Sequence, residues 1–158
     1  IEAYRALVAL VGPRGVTVIP VLTGTTLVGF LRHLALWQAA GYDLTRMDTV
    51  IGVGALVGRA PAEAADIIRA LHAAGVRRMH GLGVKGRVLE LVGPLLESVD
   101  SASWSDEARR EAEESGDEGL CPHNLVKFER NCRVAATAWA ARQVGYAAGA
   151  QVQEMLPI

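Results

Sequence analysis

Apolar residues occur along this chain in two alternating kinds of run. The first kind is short and rich in β-branched residues: Val16–Leu22 (VTVIPVL), Thr49–Ala55 (TVIGVGA), Arg78–Leu82 (RMHGL) and Leu96–Asp100 (LESVD). Runs of this length, bounded by Gly, Thr and Ser, read as buried strands. The second kind repeats at helical spacing. Leu27, Phe30, Leu31, Leu34 and Ala35 share one face of a helix over Leu27–Ala40, with Thr25 or Thr26 placed to cap it and Gly41 to end it. Another helix runs from Pro61, in its first turn, to Ala74, just before Gly75. A helical piece follows near Val88–Val92, then a charged helix over Ser105–Glu114 capped by Ser105, a loop over Ser115–His123 and a long Ala-rich helix around Asn131–Ala148. The first residue is Ile1, not Met, and it opens inside a helical pattern, which reads as a fragment of a longer chain.

Strand and helix alternating every 20 to 30 residues or so predicts an α/β protein of parallel βα units. Four units are visible. An open doubly wound sheet fits that pattern, and so does the second half of a TIM barrel, since a complete barrel needs about 250 residues. In either architecture chemistry sits at the carboxyl ends of the strands. Those ends are Thr23-Gly24, Gly54–Arg59, Gly81–Lys85 and Asp100–Trp104.

Composition narrows the class. The chain has 158 residues, of which 51% are hydrophobic and 21% charged, and a mean hydropathy of +0.23. This suits a soluble globular domain, or part of one, and argues against intrinsic disorder. No apolar stretch reaches the ~18 residues of a membrane span. Two cysteines, Cys121 and Cys132, are too few for a disulfide scaffold and suit a reducing, cytoplasmic compartment. The net charge of −1 conceals an asymmetry: nine of the 17 acidic residues lie between Glu97 and Glu118. The remainder carries an excess of six positive charges, and 14 of the 16 basic residues are Arg. Arginine suits bidentate phosphate contacts, and an Arg-rich surface is also simply well solvated.

Four groups of residues carry candidate chemistry. Gly81-Leu82-Gly83-Val84-Lys85-Gly86 has the glycine content of a phosphate loop without matching either standard spacing, so tight turning is its other explanation. Gly52 and Gly54 let another group approach the backbone closely. Asp100 ends an apolar strand, where it is either a turn or cap residue or a nucleophilic carboxylate; His80 could pair with it, and Trp104 offers core packing or a stacking surface for a base. Cys121, His123 and Cys132 present two thiols and an imidazole, which are either zinc ligands or unrelated buried side chains. His33 and His72 lie in amphipathic helices and read as ordinary surface or packed residues.

Taken in order, VIPVLTG, AAGYDL, VIGVGALVGR, RRMHGLGVKG and ESVDSASWSDEARR resemble the tRNA-guanine transglycosylase superfamily, closest to its DpdA-type branch of 7-deazaguanine DNA transglycosylases. The resemblance spans Val18 to Arg142. It implies the second half of a TIM barrel over residues 1–114, with residues 115–158 forming a loop and a terminal Ala-rich helix packed on it. It implies exchange of guanine in nucleic acid, DNA rather than tRNA, for a 7-deazapurine base, with Asp100 attacking C1′ to give a covalent intermediate. Thr23, Gly24, Gly52, Gly54, His80, Gly81, Gly83, Lys85 and Trp104 would line the base site, and Arg109 and Arg110 would hold phosphates. Cys121, His123 and Cys132 fall where the family places zinc. Thr23 stands where the family usually has glutamine. The first half of the barrel, which supplies a general-base carboxylate and a base-binding aspartate, would come from a missing N-terminal half or a second chain. Two other readings remain: a non-catalytic half-barrel that binds nucleic acid or complements a catalytic subunit, and a phosphate-binding α/β enzyme built on GLGVKG.

Overall fold

A computed structural model describes residues 1–101 and 137–147. Helix α1 (Glu2–Val11) and a 3-10 turn (Gly12–Arg14) lead into strand β1 (Val21–Leu22), helix α2 (Leu27–Ala39), strand β2 (Ile51–Val53) and helix α3 (Pro61–Ala73). Strand β3 (Met79–Gly81), helix α4 (Arg87–Val92), a second 3-10 turn (Gly93–Leu95) and strand β4 (Ser98–Val99) follow, and helix α5 covers 137–147. The four strands form one sheet in the order β1-β2-β3-β4, every neighbour parallel. This is an α/β fold consistent with a partial barrel, as the spacing of strands and helices predicts.

The pleat divides the sheet into two chemically different faces. Leu22, Ile51, Val53 and Met79 join Phe30, Leu34, Trp37, Ile67, Ile68, Leu71, Leu89 and Val92 in one buried cluster. These are the strand side chains covered by α2, α3 and α4. The alternate positions, Val21, Gly52, His80 and Ser98, stand opposite one another in register along the other face. The helices are bounded as their sequences dictate. Thr26 Oγ1 accepts the Gly29 N–H at 3.1 Å at the start of α2, and Gly41 and Gly75 take positive φ just past α2 and α3.

The strands are shorter than their apolar runs. Only the end of Val16–Leu22 pairs: Val16 is 54% exposed, and the Pro20 carbonyl accepts from the Gly52 N–H at 2.9 Å just before β1 begins. Proline has no N–H to extend the ladder, and β2 offers three residues for pairing. Thr49–Ala55, Arg78–Leu82 and Leu96–Asp100 likewise contract to their central residues. The expected helix over Ser105–Glu114, the loop over Ser115–His123 and the proposed boundary between residues 114 and 115 lie outside the described residues. Within the described residues no helix is long and apolar enough to cross a membrane.

The amino-end edge of the sheet is held by charge. Arg78, just before β3, forms a double hydrogen bond to Glu97, just before β4, both bonds at 2.8 Å, and reaches Asp48 Oδ1 at 2.9 Å. Hydrogen bonds from Arg78, with its positive charge added, hold the Glu97 carboxyl below the usual carboxylate range against a smaller desolvation effect. The stability this contributes is therefore fully present above the unfolded glutamate value of about 4.3, and is lost as pH falls through the lower folded value. The urea midpoint of the wild type is expected to exceed that of Glu97→Gln at pH 7, with the gap narrowing as pH falls below about 4.3. A gap of constant size across that range would show that the carboxylate charge contributes nothing.

Candidate active site

The carboxyl ends of the strands gather the sequence's candidate residues on the face opposite the helices. At Gly52 and Gly54 neighbouring side chains close over the sheet. A Cβ on Gly52 would lie 3.0 Å from Val21 Cγ2, and one on Gly54 would lie 3.2 Å from Thr23 Cγ2, with Leu82 Cδ1 closing the other side of both. Those distances are tight for any side chain, so glycine is what lets Val21, Thr23 and Leu82 lean over the sheet.

Asp100 follows β4 at the carboxyl end of the same sheet. Its Oδ1 accepts the Gly83 N–H at 2.7 Å, and its own backbone N–H donates to the Gly81 carbonyl at 3.2 Å. His80 Nε2 lies 3.7 Å from Asp100 Oδ2, while His80 Nδ1 is within 2.8 Å of Ser98 Oγ. The carboxylate is 58% exposed and the imidazole 20% exposed. Asp100 thus has one oxygen fixed by a backbone amide and the other facing an imidazole, at a solvent-accessible position. That is an oriented carboxylate able to attack an electrophilic carbon.

The GLGVKG segment is committed to this arrangement. Gly83 takes φ +73°, and a Cβ there would fall 2.3 Å from Val57 Cγ2, on the loop after β2. Its amide is used by Asp100, and the Gly86 amide donates to Gln143 Oε1 of α5 at 2.7 Å. Two of the Gly83–Gly86 amides that a phosphate-loop reading would use are therefore occupied, and α4 behind them has only six residues. Lys85 is exposed, and its carbonyl accepts the Val88 N–H at 3.3 Å. Gly81 serves the turn itself, since a Cβ there would meet Val84 Cγ2 at 2.7 Å.

At the β1 end, Gly24 is wedged against α2: a Cβ would lie 2.6 Å from the Phe30 nitrogen. The Thr23 backbone meets His33 Nδ1, 3.0 Å from its N–H and 3.1 Å from its carbonyl, so the imidazole tautomer decides which bond forms. His33 is therefore part of the rim rather than an ordinary helix residue. Arg59 also emerges from the structure: it hydrogen-bonds the Gly24 carbonyl at 2.8 Å and the Ala55 carbonyl at 2.7 Å, and it pairs with Glu63. Sequence spacing marked Arg59 only as the end of a strand-end segment. Its contacts span 35 residues to Gly24, a distance no local motif reports.

Trp104, Arg109, Arg110, Cys121, His123 and Cys132 lie outside the described residues. Among the described residues no group of three or more His, Cys, Asp or Glu is placed to hold a metal ion.

With the geometry set out, comparison with known families adds one finding. The family model described as DpdA, DeoxyPurine in DNA protein A, matches residues 3–154, nearly the whole chain. No curated protein and no solved structure matches.

The contact at Gly83 yields an expected outcome. Gly83→Ala combines a positive φ with a collision against Val57, whereas Gly41→Ala has a positive φ and open space around it. Gly83→Ala is expected to lower stability by up to about 1 kcal/mol more than Gly41→Ala, the cost of forcing the exposed Val57 side chain off its rotamer. Urea unfolding of the two variants measures the difference, and equal losses would show that Val57 yields freely.

Proposed function

We propose that this chain, which belongs to the DpdA family, carries the nucleophile of a transglycosylase that replaces guanine in DNA with a 7-deazaguanine. The observation that supports this most is the solvent-accessible Asp100 carboxylate just past β4, held in place by the Gly83 amide. A displacement at an anomeric carbon needs such a carboxylate.

In this reading an Asp100 oxygen attacks C1′ of the deoxyguanosine. The C1′–O bond forms as the C1′–N9 bond breaks, and the electron pair leaves with guanine, which takes up a proton. The incoming 7-deazapurine then loses its N–H proton as its nitrogen attacks C1′ and returns Asp100 to the carboxylate. His80, with Nε2 3.7 Å from Asp100, is close enough to bias that carboxylate electrostatically. Thr23, Gly24, Gly52, Gly54, Gly81 and Gly83 frame the base, with Trp104 as a stacking surface, and Lys85, Arg109 and Arg110 serve the DNA phosphates. The general base and the base-binding aspartate come from a preceding half-barrel or a second chain. The setting is the cytoplasm.

Cys121, His123 and Cys132 supply two thiolates and an imidazole, a donor set that suits structural zinc with a fourth ligand from elsewhere. No chemical step runs through it. Metal analysis of the full-length protein is expected to give about one zinc per chain, and triple replacement of these residues to remove it. Less than about half an equivalent in the wild type would end the ligand reading.

Two variants test the chemistry. Full-length protein trapped with guanine-containing DNA is expected to give an adduct that survives denaturing electrophoresis. Asp100→Asn should lose it, with base exchange reduced at least about a thousandfold, because an amide is a poor nucleophile. Full exchange by Asp100→Asn overturns the assignment. Wild-type protein that binds DNA without any adduct favours the non-catalytic reading. Trp104→Ala is expected to weaken DNA binding by roughly 1–3 kcal/mol; unchanged affinity would make the indole a packing residue.

A further inference from the structure

The loops after β1 and β2 meet on one side chain. Arg59 sends Nε to the Ala55 carbonyl at 2.7 Å and Nη2 to the Gly24 carbonyl at 2.8 Å, while Nη1 pairs with Glu63. Its guanidinium carbon lies 5.7 Å from the centroid of the Phe30 ring, and its side chain is only 15% exposed. The charge is thus neutralised, largely shielded and committed through all three nitrogens.

What it joins is unequal. Gly24 is a fixed point, because its backbone presses on the first turn of α2 and leaves no room for a Cβ. Ala55 is a strained point: at φ +54° it is the one non-glycine residue with positive φ among the described residues. Strained backbone persists only where its surroundings hold it. The bond from Arg59 is the side-chain contact that grips the Ala55 carbonyl. A lysine cannot replace the arrangement, since a point-like ammonium lacks the planar fork that reaches two carbonyls and a carboxylate together.

We propose that Arg59 is a positioning residue for the base pocket, locking the Gly24 and Ala55 carbonyls so that both strand-end loops face the exchanged base in one fixed conformation. The identity of what the loops hold rests on the transglycosylase reading; the latch itself rests on the contacts. Each carbonyl gives one lone pair to the guanidinium, which fixes its direction and with it the peptide plane of its loop.

The test uses Arg59→Lys in the full-length protein, with 7-deazaguanine as the free base. Amide exchange at residues 54–58 is expected to accelerate about tenfold while α3 and β2 keep wild-type protection. The KM for the base is expected to rise about tenfold, the loss carried by KM rather than kcat, as removal of a charge-assisted hydrogen bond implies. Arg59→Met keeps the stem against Phe30 without the fork and should reproduce both effects. Wild-type exchange at 54–58 in either variant overturns the latch. So does faster exchange spread evenly over the sheet and α3, which would make Arg59 a general stabiliser. A wild-type KM in a variant whose loop exchange has risen overturns the positioning role. Full base exchange by Asp100→Asn would sink the transglycosylase reading, yet the amide-exchange result would still decide the latch.

Discussion

A 2.7 Å hydrogen bond from the Gly83 amide to the Asp100 carboxylate sets the geometry of this molecule's working edge. The bond requires a loop that turns back over the end of β4, and the turn requires a residue at φ +73° with nothing beyond its Cα, because Val57 fills the space. A single glycine therefore satisfies three demands at once: a left-handed backbone, close packing against the preceding loop, and an amide aimed at a carboxylate. The same loop ends at Gly86, whose amide is taken by Gln143, so α5 is attached to the segment that orients Asp100.

Seen along the rim, each strand end is braced by its neighbour. The loop after β1 is tied to the loop after β2 through Arg59, that loop meets the next at Val57 and Gly83, and Gly83 meets Asp100 after β4. None of these braces lies in the helix-covered core. They are polar or close-packed contacts at the edge where β-strands leave the sheet, the position at which parallel βα architectures place their chemistry. One face of the sheet is thus devoted to packing under the helices, while these braces gather at its carboxyl edge.

The elements were legible because period and punctuation agreed. The apolar face of Leu27–Ala40, the Pro61 start and the Gly75 stop each mark structure that the chain adopts. Strand extent was not legible, since an apolar run states that residues prefer burial, not that a partner strand is long enough to pair them. Val16 shows this: it belongs to the run but lies 54% exposed, ahead of a proline. Asp100 and Gly54 were legible as residues at strand ends, and Gly52 and His80 as residues within strands. Their bonds were not, because Gly83 to Asp100 and Gly24 to Arg59 join positions 17 and 35 apart, set by register rather than by spacing. His33 was read as ordinary for the same reason: its partner is a backbone segment in another element.

Helix α1 has a different standing from everything that follows it. It contributes no buried side chain; Tyr4 stacks edge-on against Trp37 and Tyr42, Arg5 reaches the Ala40 carbonyl, and Leu7, Val8 and Leu10 remain exposed. Detaching it sacrifices these aromatic contacts, two hydrogen bonds and a cation–π contact from Arg5, and the packing of Ile1 and Tyr4 on the apolar cluster, whereas disrupting the sheet sacrifices the cluster itself. The first eleven residues are consequently expected to open more readily than the strands behind them. A spectroscopic probe on Tyr4 and one on Met79 would then trace two different melting curves, and a single midpoint fitted to both would describe neither.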